Sequence, residues 1–143
     1  MPLYKPFDEA SPPAIGGTAA GNLQSKLVHL VKTASGSLTA QECTGTVVNN
    51  FGQTDNVNLE LPTAAEGLSL TVSLATTVAK YFRLTPATGE TAALDGSSTG
   101  ADKYIQIASA TKYATIQGFT IQTGASTYEW VFFSAAGNWV QEA

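Results

Sequence analysis

The sequence predicts an all-β fold: an antiparallel β-sandwich, jelly-roll-like or barrel domain over residues 23–143, preceded by an extended arm over residues 1–22. Three observations carry this expectation. Residues 68–74 alternate without a break, Leu68, Leu70, Val72 and Leu74 against Ser69, Thr71 and Ser73, the period of a strand with one buried face. Strand-like runs recur at roughly ten-residue spacing with Gly, Asn, Asp or Pro between many of them, which suits antiparallel sheets rather than βαβ units. The arm holds Pro2, Pro6, Pro12 and Pro13, most of the prolines in the chain, a density that blocks helix interiors and sheet ladders alike.

In chain order, those four prolines and the Gly16, Gly17 pair define the arm, with Leu3, Tyr4 and Phe7 as apolar anchors. Two readings stand side by side: an unstructured chain end, or a segment that orders on a partner through those anchors. Residues 23–33 fit a helical stripe (Leu23, Leu27, Leu30) or a strand apolar on both sides; the Val content and the following Ser35 and Gly36 favour the strand. Residues 46–48 and 57–61 flank a loop rich in Asn, Gly and Asp, which reads as a hairpin. Further strands are expected at 80–85, 91–94, 103–108, 114–122, 127–133 and 138–141. Within 128–133, one face carries Tyr128, Trp130 and Phe132 and the other Glu129, Val131 and Phe133. A central core strand explains this pattern, and self-association through Tyr128, Trp130 and Phe132 is the rival explanation.

Composition limits the functions available. A chain of 143 residues suits one domain able to bury roughly two thirds of its unfolded surface. Charged residues make up only 13 %, the net charge is −4 and the pI is about 4.8, which argues against a nucleic-acid partner because phosphate binding needs clustered Lys and Arg. The N-terminus lacks the basic and apolar regions of a secretory signal, so folding in a cytosol is expected. No apolar run approaches the roughly 20 residues of a membrane span, so no membrane association is expected.

Candidates for chemistry are few. The chain has one His and one Cys, and Arg83 is its one arginine. His29 lies between apolar neighbours without a nearby carboxylate, the setting of a structural histidine. Cys43 has no low-pKa surroundings in sequence and reads as a buried, inert thiol that forms no internal disulfide. Asp55, Asp95 and Asp102 lie in Gly- and Ser-rich loops, but the spacing from Asp95 to Asp102 does not match an EF-hand, and turn formation explains it better. No Gly-rich loop joins a strand to a helix, so nucleotide binding has no support. No catalytic, cofactor or metal site is expected and the protein does not read as an enzyme. Trp130, Trp139, Tyr104 and Tyr113 leave a glycan site open, because aromatic faces stack on sugar rings.

From Gly45 to Val72 the sequence runs as a strand, an Asn/Gly loop, a strand ending in Leu61 and Pro62, then Gly67 and an alternating strand; it closes with Ser134, Ala135, Ala136, Gly137, Asn138, Trp139 and Val140. This pattern over residues 44–140 resembles the small β-structured virion surface proteins of tailed bacteriophages. The resemblance implies a virion structural protein made in the host cytoplasm, foremost a capsid decoration (cement) protein on the outside of the head. It further implies a homotrimer, with the major capsid protein as partner and the Pro-rich arm lying across neighbouring capsid subunits. The alternatives are a tail-fibre or receptor-binding module and a carbohydrate-binding β module.

Overall fold

A computed structural model describes residues 27–143. The expected arm, with Leu3, Tyr4 and Phe7, lies outside the described residues. The rest is a β structure of eleven strands: β1 (His29–Val31), β2 (Gly36–Ser37), β3 (Thr44–Asn49), β4 (Val57–Glu60), β5 (Ser69–Ser73), β6 (Phe82–Thr85), β7 (Ala92–Leu94), β8 (Ile105–Ile107), β9 (Thr115–Gly124), β10 (Thr127–Ala136) and β11 (Val140–Gln141). Helix is limited, among the described residues, to a single 3-10 turn, Gln41–Cys43. All the long strands fall where alternation placed them; β2 lies in a stretch the sequence assigned to a connection.

The strands form two mixed sheets, ordered β1-β3-β5-β9-β10-β7 and β11-β8-β6-β4-β2. The expectation of antiparallel sheets is therefore corrected: β1, β3 and β5 pair in parallel, as do β2, β4 and β6, and β7 pairs in parallel with β10. The expected hairpin between β3 and β4 does not form, because these strands belong to different sheets. From β1 to β9 the chain changes sheet at every strand, so it winds like a coil. One circuit leads from His29 to its ladder partner Val47 and the next from Val47 to Thr71; in the other sheet the circuits lead from Gly36 to Leu59 and from Leu59 to Leu84. The winding ends at β9 and β10, consecutive strands of one sheet joined as an antiparallel hairpin.

The crossing from β3 to β4 explains the missing hairpin. Asn50 and Gln53 are both buried, although they sit in a loop of turn-forming residues. The Asn50 Oδ1 accepts the Ala75 and Thr76 N–H groups (2.7 and 2.9 Å), and its Nδ2 donates to the Gln53 Oε1 (2.8 Å) and the Thr76 carbonyl (3.0 Å). Gln53 Nε2 in turn donates to the carbonyls of Asp55 (2.6 Å) and Tyr81 (3.0 Å). The loop is thus tied to the next circuit of the coil, after β5, instead of folding β4 back on β3. A second clasp stands before β3, where Thr39 and Glu42 cap the 3-10 turn reciprocally, each backbone N–H donating to the other's side chain (both 3.1 Å).

Inward-facing residues of both sheets form one core that includes Val48, Leu59, Leu70, Val72, Leu84, Ile105, Ile116, Trp130 and Phe132. Trp130 is fully buried, its indole N–H donating to the Pro62 carbonyl at 3.1 Å, and its ring stacks on Phe132 with centroids 5.6 Å apart. Phe132 faces Gly118 across the β9–β10 ladder, and the phenyl ring occupies the space a side chain there would need: a Cβ on Gly118 would fall well inside contact distance of it.

Two substitutions on this inner row test the packing by urea unfolding. Trp130→Ala is expected to cost about 3–5 kcal/mol, as aromatic truncations in cores do. Gly118→Ala is expected to cost about 1–3 kcal/mol through displacement of Phe132. Retention of wild-type stability by Trp130→Ala would place that side chain outside the core.

Candidate interaction face

The two sheets turn different outer faces to their surroundings. On the β2–β4–β6–β8–β11 sheet, one outer row runs Asn58, Arg83, Gln106, Val140 across four strands. The Arg83 guanidinium lies between the Tyr81 and Tyr104 rings (4.2 and 3.7 Å to the centroids) and donates through Nε and Nη2 to the Gln106 Oε1 at 3.1 and 2.9 Å. Thr85 donates to the Asn58 Oδ1 at 2.7 Å, and Ser37 to the Glu60 carboxylate at 3.1 Å. Apart from Val140, 41 % exposed at its edge, this row is polar, and Asn58, Arg83 and Gln106 are held by bonds to neighbouring side chains.

The outer face of the six-stranded sheet is different. One row runs Ala93, Val131, Phe119, Ser69 and the next Phe133, Gln117, Thr71, Val47. Phe119 and Phe133 stack diagonally with centroids 5.7 Å apart, and they remain 41 % and 45 % exposed, with Ile121 beside them at 42 %. Alongside the two rings runs a groove of about 310 Å³, lined by Gly45, Ser69, Thr71, Gln117, Phe119 and Phe133. Its lining carries no formal charge. Aromatic edges, hydroxyl groups and one carboxamide make it a surface for apolar or neutral polar partners.

The expected association residues fall differently. Trp130 and Phe132 are fully buried in the core, so they offer no surface to another chain. Tyr128 is half-buried, its hydroxyl donating to the Glu66 carboxylate at 3.1 Å, a bond that raises the phenol's pKa above its ordinary value. On these two strands the exposed apolar residues are Phe133, on the opposite face of β10, and Phe119 and Ile121 on β9. Phe119 and Ile121 escape sequence reasoning because Gly118, between large outward neighbours, marks the buried side of β9: the size pattern is inverted by the ring of Phe132 filling the inner face. The signal available was the pair of aromatic residues Phe119 and Phe133 on strands joined by a short turn.

The four aromatic residues that left a sugar site open do not share a surface. Trp130 and Trp139 are buried, Tyr104 lies under Arg83, and Tyr113 is exposed beside Lys112. His29 stands exposed on the edge strand β1. Asp95 and Asp102 adopt left-handed backbone (φ 49° and 63°) and accept the Ser134 and Gly89 N–H groups at 2.9 and 2.6 Å; Asp55 accepts its neighbour Asn56 N–H at 2.7 Å. Asp55 thus serves its own turn, whereas Asp95 ties its turn to β10 and Asp102 ties its turn to the loop before β7. Among the described residues no group of three His, Cys, Asp or Glu side chains is placed to hold a metal ion, and no helix is long and apolar enough to cross a membrane.

Cys43 lies fully buried where the 3-10 turn meets β3, and burial pushes its thiol up to about 12. The thiolate is the reactive form, so the native protein at pH 8 is expected to resist a thiol-reactive dye that labels it fully in denaturant. Rapid labelling of folded protein would contradict the placement. Comparison with family models, with curated proteins and with solved structures gives no match.

Proposed function

We propose that this chain is a bacteriophage virion structural protein, a capsid decoration (cement) protein that binds the outside of the head and works by association. The body acts as a rigid two-sheet sandwich, with residues 1–22 as its attachment arm. The observation that supports this reading is the contrast between the two outer faces: one sheet bonds its polar side chains internally, while the other exposes Phe119, Ile121 and Phe133 around a charge-free groove. Exposed apolar residues gathered on one face mark association sites, and a chain with 13 % charged residues has little like-charge repulsion to keep copies apart. Copies associate through this face, as the trimer implied by the resemblance, and Leu3, Tyr4 and Phe7 hold the assembly to the major capsid protein. Burial of apolar area in both contacts strengthens the shell, and several arms on one assembly bind with the gain that linked sites give.

The groove favours a second reading. Phe119 and Phe133 beside Ser69, Thr71 and Gln117 combine aromatic faces with neutral hydrogen-bonding groups, a lining suited to a neutral sugar and hence to a receptor-binding or carbohydrate-binding module. A glycan array separates the two: specific binding lost in Phe119→Ala would favour the sugar-binding role.

Two experiments test the decoration reading. Replacing Leu3, Tyr4 and Phe7 together by Ala is expected to leave the melting temperature unchanged and to abolish or greatly weaken binding to undecorated capsids. Wild-type occupancy would place attachment on the β body. Phe119→Ser with Phe133→Ser is expected to shift the protein toward monomer in sedimentation velocity while the far-ultraviolet spectrum keeps its β signature. An unchanged oligomer, or a monomeric wild type at micromolar concentration, would contradict association through this face.

A further inference from the structure

β3 and β5 run in parallel toward one end of the sandwich, and β4 and β6 run in parallel away from it. Loops 50–56 and 74–81 cross that end, and residues 108–114 join them because β8 runs antiparallel to β6. Phe51 in the first of these loops and Tyr113 in the last are 69 % and 71 % exposed. The segment after β5 holds both of their turns: the Gly52 N–H donates to the Thr76 Oγ1 (3.2 Å), the Lys112 N–H to the Thr77 Oγ1 (2.9 Å) and the Tyr113 N–H to the Leu74 carbonyl (2.8 Å).

Each turn also closes on itself, through the Gln53 N–H to the Asn50 carbonyl (2.8 Å) and the Ala114 N–H to the Thr111 carbonyl (3.0 Å). In both, the third residue alone has positive φ, 88° at Gly52 and 75° at Tyr113, the conformation that a type II turn requires there and that favours glycine. One turn has the glycine. The other has a tyrosine, an outlier for left-handed backbone, and its ring gains little burial in return. Strain of this kind gathers at functional sites, where the surrounding bonds hold it in place.

Charge narrows what this end can meet. Its three loops carry Lys80, paired with Asp55 at 3.6 Å, and Lys112, which makes no ion pair among the described residues and whose Nζ stands 5.0 Å from the centroid of the Tyr113 ring. The loops at the opposite end, after β4 and β6, carry Glu66 and Glu90, and the Asp102 N–H donates to the Glu90 carbonyl there. The aromatic end is therefore the more cationic one in a chain of net charge −4. Two lysines fall short of the roughly four to eight basic residues that hold a protein on anionic lipid. An ammonium over the Tyr113 ring competes with a sugar for its face. Protruding aromatic side chains beside a cation suit a protein surface that offers apolar pockets with a carboxylate at their rim.

We propose that this end of the sandwich seats on the major capsid protein, with Phe51 and Tyr113 entering apolar pockets and Lys112 meeting a carboxylate beside them. The inference rests on the decoration reading and gives the β body a contact of its own, linked to that of Leu3, Tyr4 and Phe7, so that loss of either weakens the whole attachment. An end-on seat leaves the outer face of the six-stranded sheet pointing sideways, toward neighbouring copies.

Binding of the full chain to undecorated capsids tests this. Phe51→Ser with Tyr113→Asn is expected to lower capsid affinity at least about tenfold, as loss of pocket-filling aromatic side chains does, and to leave the oligomer in sedimentation velocity as it is in the wild type. Lys112→Glu is expected to lower the affinity at least about threefold at low salt. Tyr113→Asn alone is expected to keep or raise the melting temperature, because Asn tolerates left-handed backbone. Wild-type affinity in the double variant or in Lys112→Glu would overturn the proposal, as would a melting temperature lowered by more than about 5 °C in Tyr113→Asn, which would assign the ring to the fold. Loss of the oligomer in the double variant would overturn it by making a second copy the occupant, and glycan binding lost in Tyr113→Asn would do so by making the occupant a sugar. A wild type that binds no capsid refutes the decoration reading itself, whereas capsid binding that survives the double variant refutes this contact alone.

Discussion

The structure depends on satisfying backbone groups where the chain passes from one sheet to the other. Each crossing carries polar main-chain atoms across the edge of an apolar core, and a buried unpaired amide or carbonyl costs about 1–3 kcal/mol. At the β3–β4 crossing the Asn50 side chain provides both acceptor and donor bonds, holding the Ala75 and Thr76 N–H groups and the Thr76 carbonyl of the next circuit. Gln53 extends the same network to Tyr81. With these bonds in place β4 lies in the second sheet beside β6, and the parallel stacking of β3 with β5 and β4 with β6 follows. A network of this kind specifies one arrangement because each member loses a bond if any other moves.

Winding between sheets also separates the two outer faces. Every strand presents alternate residues to the shared core and to the outside, so the outer character of each sheet is set by a different set of positions. Arg83, Gln106, Asn58 and Thr85 meet on one side and bond one another; Phe119, Val131 and Phe133 meet on the other with serine and threonine around them. The polar face needs no partner for its hydrogen bonds. The aromatic face has apolar area left over, which the proposed association would remove from water.

Much of the strand content was legible in the sequence, and the connectivity was not. Leu68 to Leu74 reads as a strand because period-2 alternation reports which face is buried. Alternation says nothing about which strand lies alongside, so a coil that crosses two sheets, leading from His29 to Val47 and from Leu59 to Leu84, leaves the same spacing of short strands as a succession of hairpins. Asn50 and Gln53 illustrate the limit: in sequence they belong to a solvated turn, and only the position of the next circuit makes them buried. Trp130 was readable as core from the most apolar strand. The assignment of Trp130 and Phe132 as a contact surface failed because Gly118, opposite Phe132, vacates the space that draws the ring inward. That pairing spans two strands and is invisible in either one alone.

The proposed association through the outer face of the six-stranded sheet is best tested by hydroxyl-radical footprinting of the assembled protein and of the same protein diluted to monomer. Oxidation of Phe119 and Phe133 is expected to be sharply lower in the assembled state, with that of Tyr81, Tyr104 and Tyr113 unchanged. Protection of Tyr81 and Tyr104 with Phe119 and Phe133 still reactive would contradict it.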